Sequence, residues 1–213
     1  IGGLVFFGLA GPASAAKPLS LSTLVDGEPL GLSVTYYENI DGTWTVDDAR
    51  EAHAAGKFNY SQNETLAFGF TGSTYWFQSS IINDTSTKQS RFYQIGYSLL
   101  DRVVLFAQCG SVTKQFLSGD NLPFADRPVK HRTFLFPLDI GPGETCDLML
   151  QVKTTSAMQV PIAIWDPIAI FEADQARIAA IMGLGGVLGI MAVYNLLILF
   201  SVRRRVYFYY VGF

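Results

Sequence analysis

The sequence predicts a mainly β protein, an antiparallel β-sandwich followed by a transmembrane α-helix. Three observations carry that expectation. Hydrophobicity alternates with a period of two through short runs between residues 31 and 165, turn-forming residues separate those runs, and 178–200 (IAAIMGLGGVLGIMAVYNLLILF) holds 23 residues without a charge. Alternation of this kind marks strands with one buried face. A 23-residue helix reaches about 35 Å, enough to cross a bilayer core.

Taken in order, residues 1–16 (IGGLVFFGLAGPASAA) combine an apolar run, a Gly11-Pro12 break and the small residues Ala13-Ser14-Ala15. This is the pattern of a signal-peptide remnant, with the mature chain starting near Lys17. Residues 17–172 then form one extracytoplasmic domain, long enough to bury its own core. Strands are expected at 31–37, 66–70, 75–82, 91–95, 101–107, 111–116, 132–138, 145–153 and 160–165, with turns at Asp41-Gly42, Gly72-Ser73, Asn83-Asp84, Gly119-Asp120 and Gly141-Pro142-Gly143. A short helix is expected at 45–54, where Thr45 supplies an N-cap and Asp47 and Asp48 favour the first turn. A second helix starts near Ala169, and 173–200 is read as its juxtamembrane and transmembrane part. An uninterrupted helix there would couple the sandwich mechanically to the membrane.

Charge sets the orientation. All 18 Asp+Glu precede the apolar run, and the only charges after it are Arg203, Arg204 and Arg205. Cationic flanks stay cytoplasmic, so the β-rich side is outside and 201–213 is a cytoplasmic loop leading into a second membrane segment. The net charge of −3 provides no basic surface for nucleic acid. The two cysteines, Cys109 and Cys146, admit two readings in an oxidising compartment: a bridge, worth about 3–4 kcal/mol in the chain-entropy model, or two separately buried thiols. The sequons at Asn63 and Asn83 are read as chance. Within the span, Gly185 and Gly189 make a small-residue stripe and Asn195 offers an amide, which together suit close packing against another helix.

Catalysis is not expected. There is no G-x-S-x-G and no H-E-x-x-H, the only histidines are His53 and His131, and Asp47-Asp48 is explained by the helix start. Asn39 and Asp41 lack the rest of a calcium loop. No cofactor is implied. The candidate ligand residues are Asp120, Arg127, His131 and Arg132, in a connection stiffened by Pro123 and Pro128, with Trp44 and Trp165 as stacking surfaces. Against this, His131 beside Arg132 also suits a structural hydrogen bond, and Trp76, inside an alternating run, suits the core.

Several strings carry a resemblance in one order: STYWF at 73–77, YSLLDRVVLF at 97–106, GD at 119–120 leading into PFADRPVKHR at 123–132, FLFPL at 134–138, GPGET at 141–145, PIAIWDP at 161–167 and YNL at 194–196. Together they resemble the type 2 extracellular domain of bacterial seven-transmembrane receptors with diverse intracellular signalling modules. The resemblance implies a jelly-roll sandwich similar to carbohydrate-binding modules, followed by the receptor's first membrane helix. It also implies a cytoplasmic kinase, diguanylate cyclase or similar output. The expected function is ligand sensing outside the bacterial inner membrane, with carbohydrate or a related small molecule as ligand. The competing reading is a protein–protein or assembly domain meeting a partner membrane protein or a second copy.

The orientation is directly testable. A reporter fused after residue 170 should be periplasmic and one fused after residue 205 cytoplasmic. The same compartment for both would overturn the assignment.

Overall fold

The computed structural model describes residues 18–202. The signal-peptide remnant, Arg203, Arg204, Arg205 and the second membrane segment lie outside the described residues. The chain divides into two compact units, the first ending at Pro167.

The first unit is built from β1 (Leu19–Ser20), β2 (Thr35–Asn39), α1 (Val46–Ala54), β3 (Asn59–Tyr60), β4 (Leu66–Phe70), β5 (Thr74–Ile82), β6 (Gln89–Ile95), β7 (Arg102–Cys109), β8 (Val112–Ser118), β9 (Phe134–Ile140), β10 (Thr145–Lys153), β11 (Ala157–Val160) and β12 (Ile162–Trp165). A seven-stranded sheet runs β3-β2-β5-β10-β7-β8, with β1 added to β5; a three-stranded sheet runs β12-β6-β9, and β11 pairs with β4. All of these pairings are antiparallel except β1 with β5. The expected antiparallel β architecture is therefore present, and a long apolar helix follows it.

Alternation explains how the two larger sheets meet. Tyr75, Phe77 and Ile81 of β5, Val103 and Leu105 of β7, and Leu148, Leu150 and Val152 of β10 share one buried cluster with Tyr93 and Ile95, with Phe134, Phe136 and Leu138, and with Ile162 and Ile164. On each strand these positions are two apart, so every one faces inward. The intervening positions of β5 do not face water either. Trp76 is 1% exposed and packs on the opposite face with Ala49 and Ala52 of α1, Phe58 and Met149. Trp76 is thus a core residue, of a second and smaller core.

The ends of the sandwich are stapled by polar groups. Asn83 is fully buried; its amide donates to the carbonyls of Thr87 (2.8 Å) and Ile140 (2.9 Å), and its Oδ1 accepts from the Thr85 N–H (3.0 Å) and hydroxyl (2.7 Å). All of its side-chain hydrogen-bonding capacity is spent inside the protein, which removes Asn83 as a glycan acceptor. Next to it, Asp84 accepts from the hydroxyls of Ser20 and Ser22, which hold its carboxyl down at about 2 and tie β1 to the β5–β6 turn.

The structure departs from the sequence expectations where local chemistry outweighs periodicity. Residues 160–165, expected as one strand, split at Pro161 into β11 and β12 in different sheets, because proline has no N–H to continue a ladder. Gly31–Ser33 is a 3-10 turn rather than the start of a strand, and the two-residue strands β1 and β3 are too short to show a period. The final helix, α2 (Pro167–Val202), begins at a proline rather than near Ala169, since proline's fixed φ suits the first helical turn. Its run is unbroken, and among the described residues no side chain stands within 4 Å of where a Cβ would project from Gly185 or Gly189. Asn195 is half-buried.

Cys109 and Cys146 are bonded to each other. They are direct partners in the β7–β10 register, and the Gly110 N–H to Thr145 carbonyl bond (3.1 Å) makes the neighbouring pair the hydrogen-bonded one. The cysteines therefore sit at a non-hydrogen-bonded position, where opposing backbones approach most closely. The bridge spans a sequence separation of 37. In the chain-entropy model a loop of this size stabilises by about 4 kcal/mol. Cys109→Ala/Cys146→Ala should lower unfolding free energy by roughly that amount in urea titration, whereas an unchanged midpoint would show that the bridge adds nothing.

Candidate ligand site

The outer face of the seven-stranded sheet is half covered. Helix α1 is started by a capping box: Thr45 Oγ1 accepts from the Asp48 N–H (3.3 Å), and Asp48 Oδ2 accepts from the Thr45 N–H (2.8 Å). Such a cap is worth about 1 kcal/mol. The short side chains of Ala49 and Ala52 are buried against Trp76 and Met149, while Tyr37 and Trp44 stack beside them with ring centroids 4.4 Å apart. The helix thereby covers the apolar part of the face and leaves the polar part open.

The open part is a cavity of about 470 Å³, lined from α1 by Arg50 and His53 and from the sheet by Gln78, Ser80, Gln108, Thr145, Asp147 and Met149, with Pro18 and Leu148 completing the wall. Strand register explains the grouping. Ser80, Asp147 and Gln108 are direct partners in one row across β5, β10 and β7, and Gln78 and Met149 are partners in the next row. Gln78 is 9% exposed, yet its Oε1 has no hydrogen-bond partner among the described residues. The same holds for Thr35 Oγ1, its cross-strand partner on β2, and for Trp76 Nε1 two residues away. Each orphaned buried group costs about 1–3 kcal/mol. All three lie on the β2–β5 strand pair. Burial lowers the pKa of His53, against the opposing pull of Asp147, so its imidazole favours the neutral form.

The residues expected to form the site are dispersed. Arg127 Nη1 donates to the carbonyls of His131 (3.0 Å) and Arg132 (3.4 Å), and its guanidinium lies 5.0 Å from the Phe124 ring centroid and 4.8 Å from that of Phe134. His131 is buried and its Nδ1 accepts from the Thr133 N–H (3.2 Å). Both side chains hold their own loop in shape. Arg132 and Asp120 are exposed, and Asp120 follows Gly119, where a Cβ would stand 2.1 Å from the Asp101 carbonyl oxygen, an approach only glycine permits. Trp44 belongs to the small core under α1. Trp165 is on β12 in the other sheet, its Nε1 donating to Gln94 Oε1 (2.7 Å) and its ring lying where a Cβ on Gly27 would collide at 2.2 Å. One tryptophan thus precedes α1 over the seven-stranded sheet and the other lies on β12 of the three-stranded sheet.

A family model described as 7TMR-DISM extracellular 2 matches residues 31–166. The chain belongs to this family. No curated protein matches it. As a 7TMR-DISM extracellular 2 domain it is the extracellular, sensory-type part of a membrane receptor, and the match ends one residue before α2 begins. Helix residues Pro167–Ile198, with mean hydropathy 2.0, are long and apolar enough to cross a membrane.

The residues lining the cavity in this 7TMR-DISM extracellular 2 domain escaped the sequence reading because they come from four separate elements. One local signal was available: Gln78-Ser79-Ser80 interrupts an otherwise apolar strand, and a polar residue inside a doubly covered strand needs a reason. Gln78→Met should therefore stabilise the unliganded protein by about 1–2 kcal/mol in urea titration, because it removes the orphaned oxygen at nearly constant volume. A loss of stability would show that the amide serves the fold instead.

Proposed function

We propose that this extracellular domain senses a small polar ligand, of the expected carbohydrate class or another of similar size, in the cavity between α1 and the seven-stranded sheet. The domain binds and does not catalyse; the receptor lies in a bacterial inner membrane and passes the signal through its helices to a cytoplasmic module. The observation that carries this reading is the roughly 470 Å³ cavity with the buried, unpartnered Gln78 Oε1 in its wall, inside a domain of a receptor family. Among the described residues no group of three His, Cys, Asp or Glu is placed to hold a metal ion. A ligand that touches both α1 and the sheet shifts the receptor's states only by its differential affinity for them.

Chain continuity supports transmission. One residue, Asp166, separates β12 from α2, and it is held on both sides: its carboxylate accepts from Arg91 Nη1 (2.8 Å) and its N–H donates to Asp26 Oδ1. The test is a screen of sugars, amino acids and metal ions against the chain in nanodiscs, with hydrogen exchange on every binder. Protection concentrated in Val46–Ala54 and Thr74–Ile82 is the expected result. Failure of every small molecule, with a partner protein crosslinking to this face, would replace sensing by an interface role.

A further inference from the structure

The cavity wall specifies more than polarity. Its sheet side presents acceptors: the buried Gln78 Oε1, which has no partner, and the Asp147 carboxylate, which makes no ion pair among the described residues. Its helix side presents donors. Arg50 is half-buried at the cavity edge, and among the described residues its only ion pair is a 3.4 Å contact with the exposed Asp47, a surface pair too weak to compete with a desolvated ligand charge. His53, one helical turn further on, is held toward its neutral form by burial and adds a hydrogen-bonding group without a second positive charge. The wall thus carries one negative and one positive charge on opposite sides, with Met149 as an apolar surface between rows.

Three ligand classes can be weighed against that wall. A sugar ring gains much of its affinity by stacking on an aromatic face, and among the described residues no Phe, Tyr or Trp lines this cavity. The nearby rings are engaged with one another, Tyr37 on Trp44 at 4.4 Å and Trp76 near Phe106 at 6.1 Å. A simple anion would meet Arg50 but be repelled by Asp147, and a simple cation would face the reverse. A molecule carrying both charges satisfies the two together and supplies N–H donors to Gln78 Oε1.

Resting on the sensing function proposed above, we infer that the cavity binds a ligand of the amino-acid class, with its ammonium group on Asp147 and Gln78 Oε1 and its carboxylate on Arg50. The ligand side chain then lies along Met149, with Ser80, Gln108 and Thr145 available for further hydrogen bonds.

The experiment is calorimetry on the 213-residue chain in nanodiscs. The probes are the twenty L-amino acids, the N-acetyl and carboxamide derivatives of any binder, and a matched set of neutral mono- and disaccharides. At least one free amino acid should bind. Blocking either its amine or its carboxylate should weaken binding roughly 10- to 100-fold, the loss expected for one charged hydrogen-bonded contact. Asp147→Asn and Gln78→Met should weaken the free amino acid comparably. Gln78→Met is expected to be more stable than the parent, so its loss of binding cannot be attributed to unfolding. If only saccharides bind, and Gln78→Met abolishes that binding, the sensing function stands and the amino-acid class is overturned. If an amino acid binds but tolerates both blocking groups, or both variants, the assignment of its charges to Asp147 and Arg50 is overturned. If no probe binds, the amino-acid class fails, and a partner protein crosslinked to the face would remove the sensing function with it.

Discussion

The central strands β5 and β10 have two faces to bury, and the three-stranded sheet covers only one of them. That constraint organises the domain. Trp76, Met149 and Phe106 point away from the main core, so an element must lie over them, and α1 does so with alanines that permit close approach. A nine-residue helix is too short to cover a face this wide. The rows left open are the ones whose side chains tolerate water, Ser80, Asp147 and Gln108, and the cavity is their boundary with the helix. The site is a consequence of incomplete coverage, placed by where apolar residues stop along β5, β7 and β10.

The cost of that arrangement falls on Gln78. It sits where coverage ends, buried enough to lose water and too far from other groups to regain a hydrogen bond. A protein selected only for stability would place an apolar residue there. The glutamine stands next to Thr35 and Trp76, which have orphaned polar atoms of their own, and the ligand proposed above would give Gln78 Oε1 the donor it lacks.

Much of the fold was legible in the sequence for a local reason. Strands β4 and β10 coincide with the expected runs, and α1 with its Thr45 cap could be read from a few consecutive residues. Other strand ends moved by one to four residues, as β2, β6 and β9 did, and larger changes came where proline intervened, at Pro161, or where a strand was two residues long. The site was far less legible. The charged loop around Arg127 and His131 is conspicuous because its basic residues lie close together in sequence, yet Arg127 turns back onto two backbone carbonyls and two rings, and His131 accepts from the Thr133 N–H. Arg50, Gln78, Gln108 and Asp147 are far apart in sequence and meet only through sheet register, which no short window contains. Trp44 and Trp165 illustrate the same limit: of these aromatic residues suited to stacking, the first packs beside α1 and the second is held on β12 by Gln94.

The order of strands also governs when the domain can come into being. In the large sheet β10 lies between β5 and β7, which do not pair with each other, so its two halves stay unjoined until residues 145–153 have been delivered. A chain that crosses a membrane N-terminus first therefore carries β1 to β9 across as an unfinished assembly, whose long-range pairings form slowly. The segment that completes it is followed, after β11 and β12, by α2. Closure of the sandwich and arrival of the apolar helix at the bilayer are thus neighbouring events. An intermediate stalled before that closure would expose the unpaired edges of β5 and β7, the edges by which one chain recruits another into aggregates, so chaperones should engage this protein most strongly before β10 arrives.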